Sequence, residues 1–292
     1  PLEAAERELL TAWFAKNDGA FQEGRRLLIE AAAKPDCRFP PSEVDGTAVD
    51  ANTALRMQMS AQLLVTHARL KGDGASMAAE LAMSRALRSD PSLFPQLVAC
   101  GMDKVAADCL RSADLAAPSV AEALDRLDPS SPRRGYERAL LGEALVIGEK
   151  ALGSPPDRLA AGAYVEALSE FARLSTRPHA EVRLEIDALA RQHGTFAPAY
   201  AAESKRLIPA LPRLTETAVE AESRLSMLRL ASSLSRHRAL TGAYPAALGV
   251  DSPPDPFTGR PFDYRTEGSG FVLESAGPPS KGTRVAWSFT GP

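Results

Sequence analysis

The chain has 292 residues, 45% hydrophobic and 24% charged, with a formal net charge of −3 and a pI of about 5.9. That length supports one large core or two modest ones, and with no basic surplus for a phosphate backbone a nucleic-acid partner is not expected. Aromatics are only 6% while Ala, Leu and Arg abound, a bias that favours helices. No run approaches the roughly 18 consecutive apolar residues needed to cross a bilayer.

Apolar residues at helical spacing predict helices over 2–16 and 20–33, using Leu9, Leu10, Trp13 and Phe14, then Leu27 and Leu28, with a break at Asn17, Asp18 and Gly19. The prolines of 34–46 make an extended connector. A long helix follows over 47–71, with Leu55, Met59, Leu63, His67 and Leu70 as its apolar stripe. The return helix is 75–89. The next runs over 91–112, with Asp90 or Ser92 as its cap and Pro91 in its first turn. Shorter segments fit 117–127 and 132–151. Gly153 ends one helix, Ser154 caps the next, Pro155 takes its first position and Asp157 favours its dipole. Helices over 155–174, 178–193 and 197–207 precede a long one at 213–241, with Leu214, Ala218, Ala221, Leu225, Leu228 and Leu234 among its apolar positions.

Residues 1–212 thus read as an all-α body, a helical bundle or an irregular helical-hairpin array without a repeat consensus. After Gly242 the period changes. Pro261–Arg265 and Gly270–Ser275 alternate like strands around a Gly-rich turn, and Thr283–Phe289 supplies a third. Residues 213–292 therefore form a small α+β module, about three antiparallel strands on a long helix, and the fold class is mainly α.

The string Asp255–Arg265, DPFTGRPFDYR, has a physical reading of its own. Gly242 leaves the long helix in a left-handed conformation, Pro245 forbids its resumption, and Tyr244 packs over the sheet. Asp255 accepts bonds from the following amides, Pro256 sets the first turn dihedral, and Gly259 supplies a positive φ. Phe257, Phe262 and Tyr264 cover a small core.

These residues, Gly242, Tyr244 and Pro245, then Asp255, Pro256, Phe257, Gly259, Pro261 and Tyr264, with Ser275 and Gly277, resemble the periplasmic end of the major pseudopilin of type II secretion. The similarity covers 216–278. The whole chain is also similar to a group of uncharacterised bacterial envelope proteins, lipid- or helix-anchored, in which a helical body precedes this motif. The resemblance implies a periplasmic or envelope-facing location, with any membrane contact made through an N-terminal segment ahead of Pro1. Residues 1–212 stand where the pseudopilin has its assembly helix, so filament assembly by that route is not implied. The family's acidic calcium loop also has no counterpart, because no carboxylate follows Glu274 and calcium wants six to eight oxygen ligands.

Candidate chemistry is sparse. His67 lies on an apolar stripe and reads as a core histidine. Glu181 and Glu185, after His179, share a helix face suited to a metal or acid–base work, but Arg183 and Arg191 interleave and a solvated charged face accounts for them. Ser233 and His237 are neighbours on the long helix without a third group to orient the histidine; His193 stands alone. Hydrolase, phosphate-loop and dinucleotide motifs are absent. Arg133, Arg134 and Arg138, near Tyr136, could grip an acidic partner, but a solvated helix start is the default reading. Cys100 and Cys109 are too far apart on one helix to pair; Cys37 could reach either, and three small buried side chains is the preferred reading.

No catalytic, cofactor-binding or metal residue is assigned, and no cofactor is expected. The reading is a non-enzymatic interaction or scaffold protein, a subunit of a membrane-associated assembly with other proteins as partners. The alternative is a hydrolase-type or metal-assisted enzyme with a site between body and module, using Glu181, Glu185 or His237.

Overall fold

The computed structural model describes residues 3–32, 34, 51–71, 73–111, 114–151, 155–194, 207–278 and 284–289. Cys37, Ser154 and nearly all of the helix expected over 197–207 lie outside them. The helices are α1 (Ala4–Lys16), α2 (Asp18–Ala32), α3 (Ala51–Lys71), α4 (Gly74–Leu87), α5 (Leu93–Leu110), α6 (Pro118–Asp125), α7 (Ser131–Ala151), α8 (Pro155–Ser175), α9 (His179–Gly194) and, after a 3-10 turn, α10 (Leu211–Thr241). Strands β1 (Asp263–Glu267), β2 (Gly270–Ser275) and β3 (Val285–Phe289) make one antiparallel sheet in sequence order. The protein is mainly α with a small C-terminal sheet. No described helix is long and apolar enough to cross a membrane.

Local chemistry explains most boundaries. Asp73 caps α4 by accepting the Ala75 amide at 3.1 Å, and the same carboxylate holds Arg25 of α2. Ser92 occupies the N-cap of α5 without a side-chain cap bond. Its own amide donates to Asp90, while Glu143 of α7 receives the Leu93 amide, so Pro91 precedes the helix instead of entering its first turn. Gly242 ends α10 at φ 84°, its amide donating to the Arg238 carbonyl at 2.7 Å.

α10 is the spine, about 46 Å long at 1.5 Å per residue. Its first half packs with α7, α8 and α9 around Tyr136, Leu168, Phe171 and Ile186. Its second half, through Met227, Leu228, Ala231 and Leu234, shares one core with Phe262, Phe271, Leu273, Trp287 and Phe289 of the sheet region and with Met77, Ala106, Leu110 and Leu124 of α4 to α6. A third cluster joins α3, α4 and α5. In the sheet, Phe271 pairs with Phe289 and Leu273 with Trp287 on the covered face; Arg265, Glu274 and Arg284 make an ion-pair ladder on the other.

One face differs from expectation. Leu55, Met59 and Leu63 of α3 are 46%, 66% and 39% exposed, whereas Ala54, Met57, Ala61, Leu64, Val65 and Ala68 are buried. Those buried residues are all apolar, whereas the Leu55, Met59 and Leu63 row shares its side of the helix with exposed Asn52, Arg56 and Gln62, so the more continuously apolar face takes the interior.

Candidate functional site

The DPFTG turn is built around Asp255. Its carbonyl accepts the amides of Thr258 and Gly259 at 3.1 and 2.7 Å, and its own amide donates to the Arg260 carbonyl at 2.7 Å. Pro254 and Pro261 face each other across the closed turn. The buried carboxylate takes three further bonds, from the Phe257 amide, the Ser275 hydroxyl and the Ala276 amide, at 3.0, 3.0 and 2.9 Å. A carboxylate so committed is a structural hub that ties the turn to the end of β2. Gly259 has φ 70°, and a Cβ there would lie 3.1 Å from Cγ of Pro178. Nearby, Tyr244 stacks edge-on to Phe271 at 4.8 Å and the Tyr264 hydroxyl donates to the Pro245 carbonyl at 2.8 Å.

Phe257 does not join the sheet core. The carbonyls of Pro256 and Phe257 accept the amides of His179 and Ala180 at 3.2 and 2.8 Å, supplying partners for the first turn of α9. That docking carries the Phe257 ring onto His179, edge to face at 5.8 Å. His179 is buried, and burial lowers its imidazole pKa below 6.5.

A cavity of about 690 Å³ lies between body and sheet region, lined by Arg133, Glu222, Ser226, Ser233, Asp255 and Gly259 among others. Burial pushes the Glu222 carboxyl up and Arg133 opposes this. Arg133 donates to Oε1 of Glu222 and to the Arg177 carbonyl, both at 3.0 Å; its Nε is 2.8 Å from Oε2 at an angle too poor for a hydrogen bond. This pair ties α7 to α10.

The residues considered for chemistry are dispersed. Glu181 and Glu185 are exposed, each 3.6 Å from Arg177. Ser233 and His237 both face solvent. His67 is buried between Phe14 and Phe21, with Nδ1 3.4 Å from Asp73. Cys100 is buried, its thiol pushed up to about 11 by burial, and Cys109 is half-buried and likewise raised. Among the described residues no group of three His, Cys, Asp or Glu side chains could hold a metal ion.

The sequence reading did not single out one buried charged cluster among the described residues. Glu80, Ser84 and Arg88, at four-residue steps along and just beyond α4, are all buried, as is Asp103 of α5. Ser84 donates to Asp103 at 2.6 Å, and Arg88 reaches both Ser84 and Asp103. Both oxygens of Glu80 are without a partner among the described residues. Burial, then the Asp103 charge, raises this carboxyl well above its ordinary value. The signal was the polar period inside an apolar helix.

Arg88 and Asp103 of this cluster also line a second cavity, of about 760 Å³, between α4, α6 and α7. Arg85, Arg88, Arg126, Arg134 and Arg138 line it together with Asp103, Asp128 and Glu137. Ala75, Ala78, Ala82 and Leu127 form apolar wall. The basic cluster noted at 133–138 is therefore split: Arg133 faces the first cavity, Arg134 and Arg138 the second. Tyr136 between them is buried and donates to the Leu211 carbonyl at 3.2 Å.

No protein-family model, curated protein or solved structure matches the chain.

Proposed function

We propose that this protein is a non-enzymatic, envelope-facing interaction or scaffold protein, a subunit of a membrane-associated assembly with a pseudopilin-like C-terminal module. The observation that carries the reading is the row Leu55, Met59 and Leu63 on the outer face of α3, exposed while the opposite face packs into the core. Three large apolar side chains at i, i+4 and i+8 present one continuous strip, a surface suited to another protein. Support for the module comes from the turn roles taken by Gly242, Asp255 and Gly259. Glu181 and Glu185 of α9 and His237 of α10 all face solvent, an arrangement that does not favour the enzymatic alternative.

The test places a photo-crosslinking residue at Met59 in the protein expressed from its native locus. An adduct in the envelope fraction, lost with Leu55→Ser and Leu63→Ser, is the expected result. A cytosolic monomer without an adduct overturns the proposal.

A further inference from the structure

The cavity between α4, α6 and α7 has no part in that reading. Five arginines line it against three carboxylates, an excess of positive charge in a chain whose net charge is −3. Two of the three carboxylates are engaged, while Glu137 has no ion pair among the described residues and leaves Arg85 and Arg138 a single carboxylate to offset. Asp103 is held by Arg88 and Ser84 at the floor, and Asp128 pairs with Arg134 at the rim. Arg85 has no ion pair among the described residues, and Arg138 spends one nitrogen on the Arg88 carbonyl at 2.8 Å. The Arg134–Asp128 pair is exposed on both sides, the kind that contributes little and exchanges readily. About 760 Å³ lies within the range of small-molecule sites, which combine apolar walls with a few convergent polar groups.

We propose that this cleft binds a small amphiphilic anion, with a carboxylate or similar oxyanion head held by Arg85, Arg134 and Arg138 and a short apolar body against Ala75, Ala78, Ala82 and Leu127. Guanidinium groups from α4 and α7 supply planar paired donors that match an oxyanion. The buried Arg88–Asp103 pair below them fixes the floor and keeps the carboxylate of Asp103 from repelling the ligand.

Calorimetric titration of the whole chain with octanoate tests this, with octylammonium and acetate as controls. Octanoate is expected to bind, more weakly as salt rises, while octylammonium and acetate do not. Arg85→Ala with Arg138→Ala is expected to weaken octanoate by about tenfold or more, and the matching lysine variants to recover part of it. Ala82→Phe, which fills the apolar end, is expected to abolish binding, whereas Met59→Ser on the α3 strip changes nothing. All variants keep the parent helix ellipticity and Tm. The proposal is overturned if octanoate does not bind, if octylammonium binds equally, or if the folded arginine or Ala82→Phe variants retain full affinity.

Discussion

The amide of Ala180, in the first turn of α9, donates to the carbonyl of Phe257 at 2.8 Å, joining the DPFTG turn to the helical body. The Phe257 ring is buried at that contact. Phe257→Ala is therefore expected to cost about 3–5 kcal/mol. Because the sheet shares its core with α4 to α6, that loss is expected in one cooperative transition. Urea unfolding in a Trp13→Phe background checks it: helix ellipticity and the fluorescence of Trp287 should move together. Separate midpoints would mean that the sheet region unfolds alone.

Two glycines with similar positive φ, 84° at Gly242 and 70° at Gly259, should differ in cost. Gly242 has open space around a notional Cβ, so Gly242→Ala carries only the left-handed penalty, about 1–2 kcal/mol. Gly259→Val adds β-branching and a tight contact with the Pro178 ring, and is expected to exceed the roughly 1–3 kcal/mol of backbone strain alone. Equal midpoint shifts for the two variants would contradict the close approach.

Glu80 predicts a stability loss toward alkaline pH. Burial holds its folded pKa above 4.5, so the native state keeps a proton that the unfolded chain releases. Stability then falls as pH rises from about 4.5 to the folded pKa, by up to about 1.4 kcal/mol per pH unit. Glu80→Gln mimics the neutral acid without titrating. Its advantage over the parent in urea midpoint should be larger at pH 8 than at pH 5.

The buried Arg88–Asp103 pair should be asymmetric to mutation. Asp103→Ala leaves Arg88 charged and unpaired in the interior and is expected to cost about 3–5 kcal/mol. Replacing both, with Arg88→Met and Asp103→Leu, should cost less than the single change. A more severe double variant, measured by the same unfolding curves, would refute the argument.

His179 acts on the acid side. Its pKa is lowered chiefly by burial, with Glu216 and Asp187 opposing and Arg183 reinforcing the shift. The neutral ring thus contributes stability that is present above about pH 6.5 and is lost as pH falls through the lowered folded value. His179→Leu is expected to flatten the loss of stability between pH 7 and pH 5. An unchanged acid limb would show that the ring is not held neutral by the docked turn.

Much of the fold was written locally. Helix ends, Gly242 as a left-handed cap, the Phe257 amide bonded to Asp255 and the three strands depend on neighbours a few residues away, so spacing and turn chemistry suffice to find them. Other features depend on which distant groups meet. The outward turn of Leu55, Met59 and Leu63 was not legible because two apolar rows run along α3 and only the packing of α4 and α5 decides which one is covered. Asp255 as a hub could be half seen, since Phe257 is adjacent in sequence but Ser275 and Ala276 arrive from the other side of a hairpin. Placing Phe257 on His179, Glu80 beside Asp103, and Arg85 in one cleft with Arg134 and Arg138 required the packed helices. Sequence alone determined the elements and their order, because backbone hydrogen bonding and side-chain periodicity act over a few residues. Tertiary structure alone decided which polar groups are buried, because desolvation depends on everything packed around them.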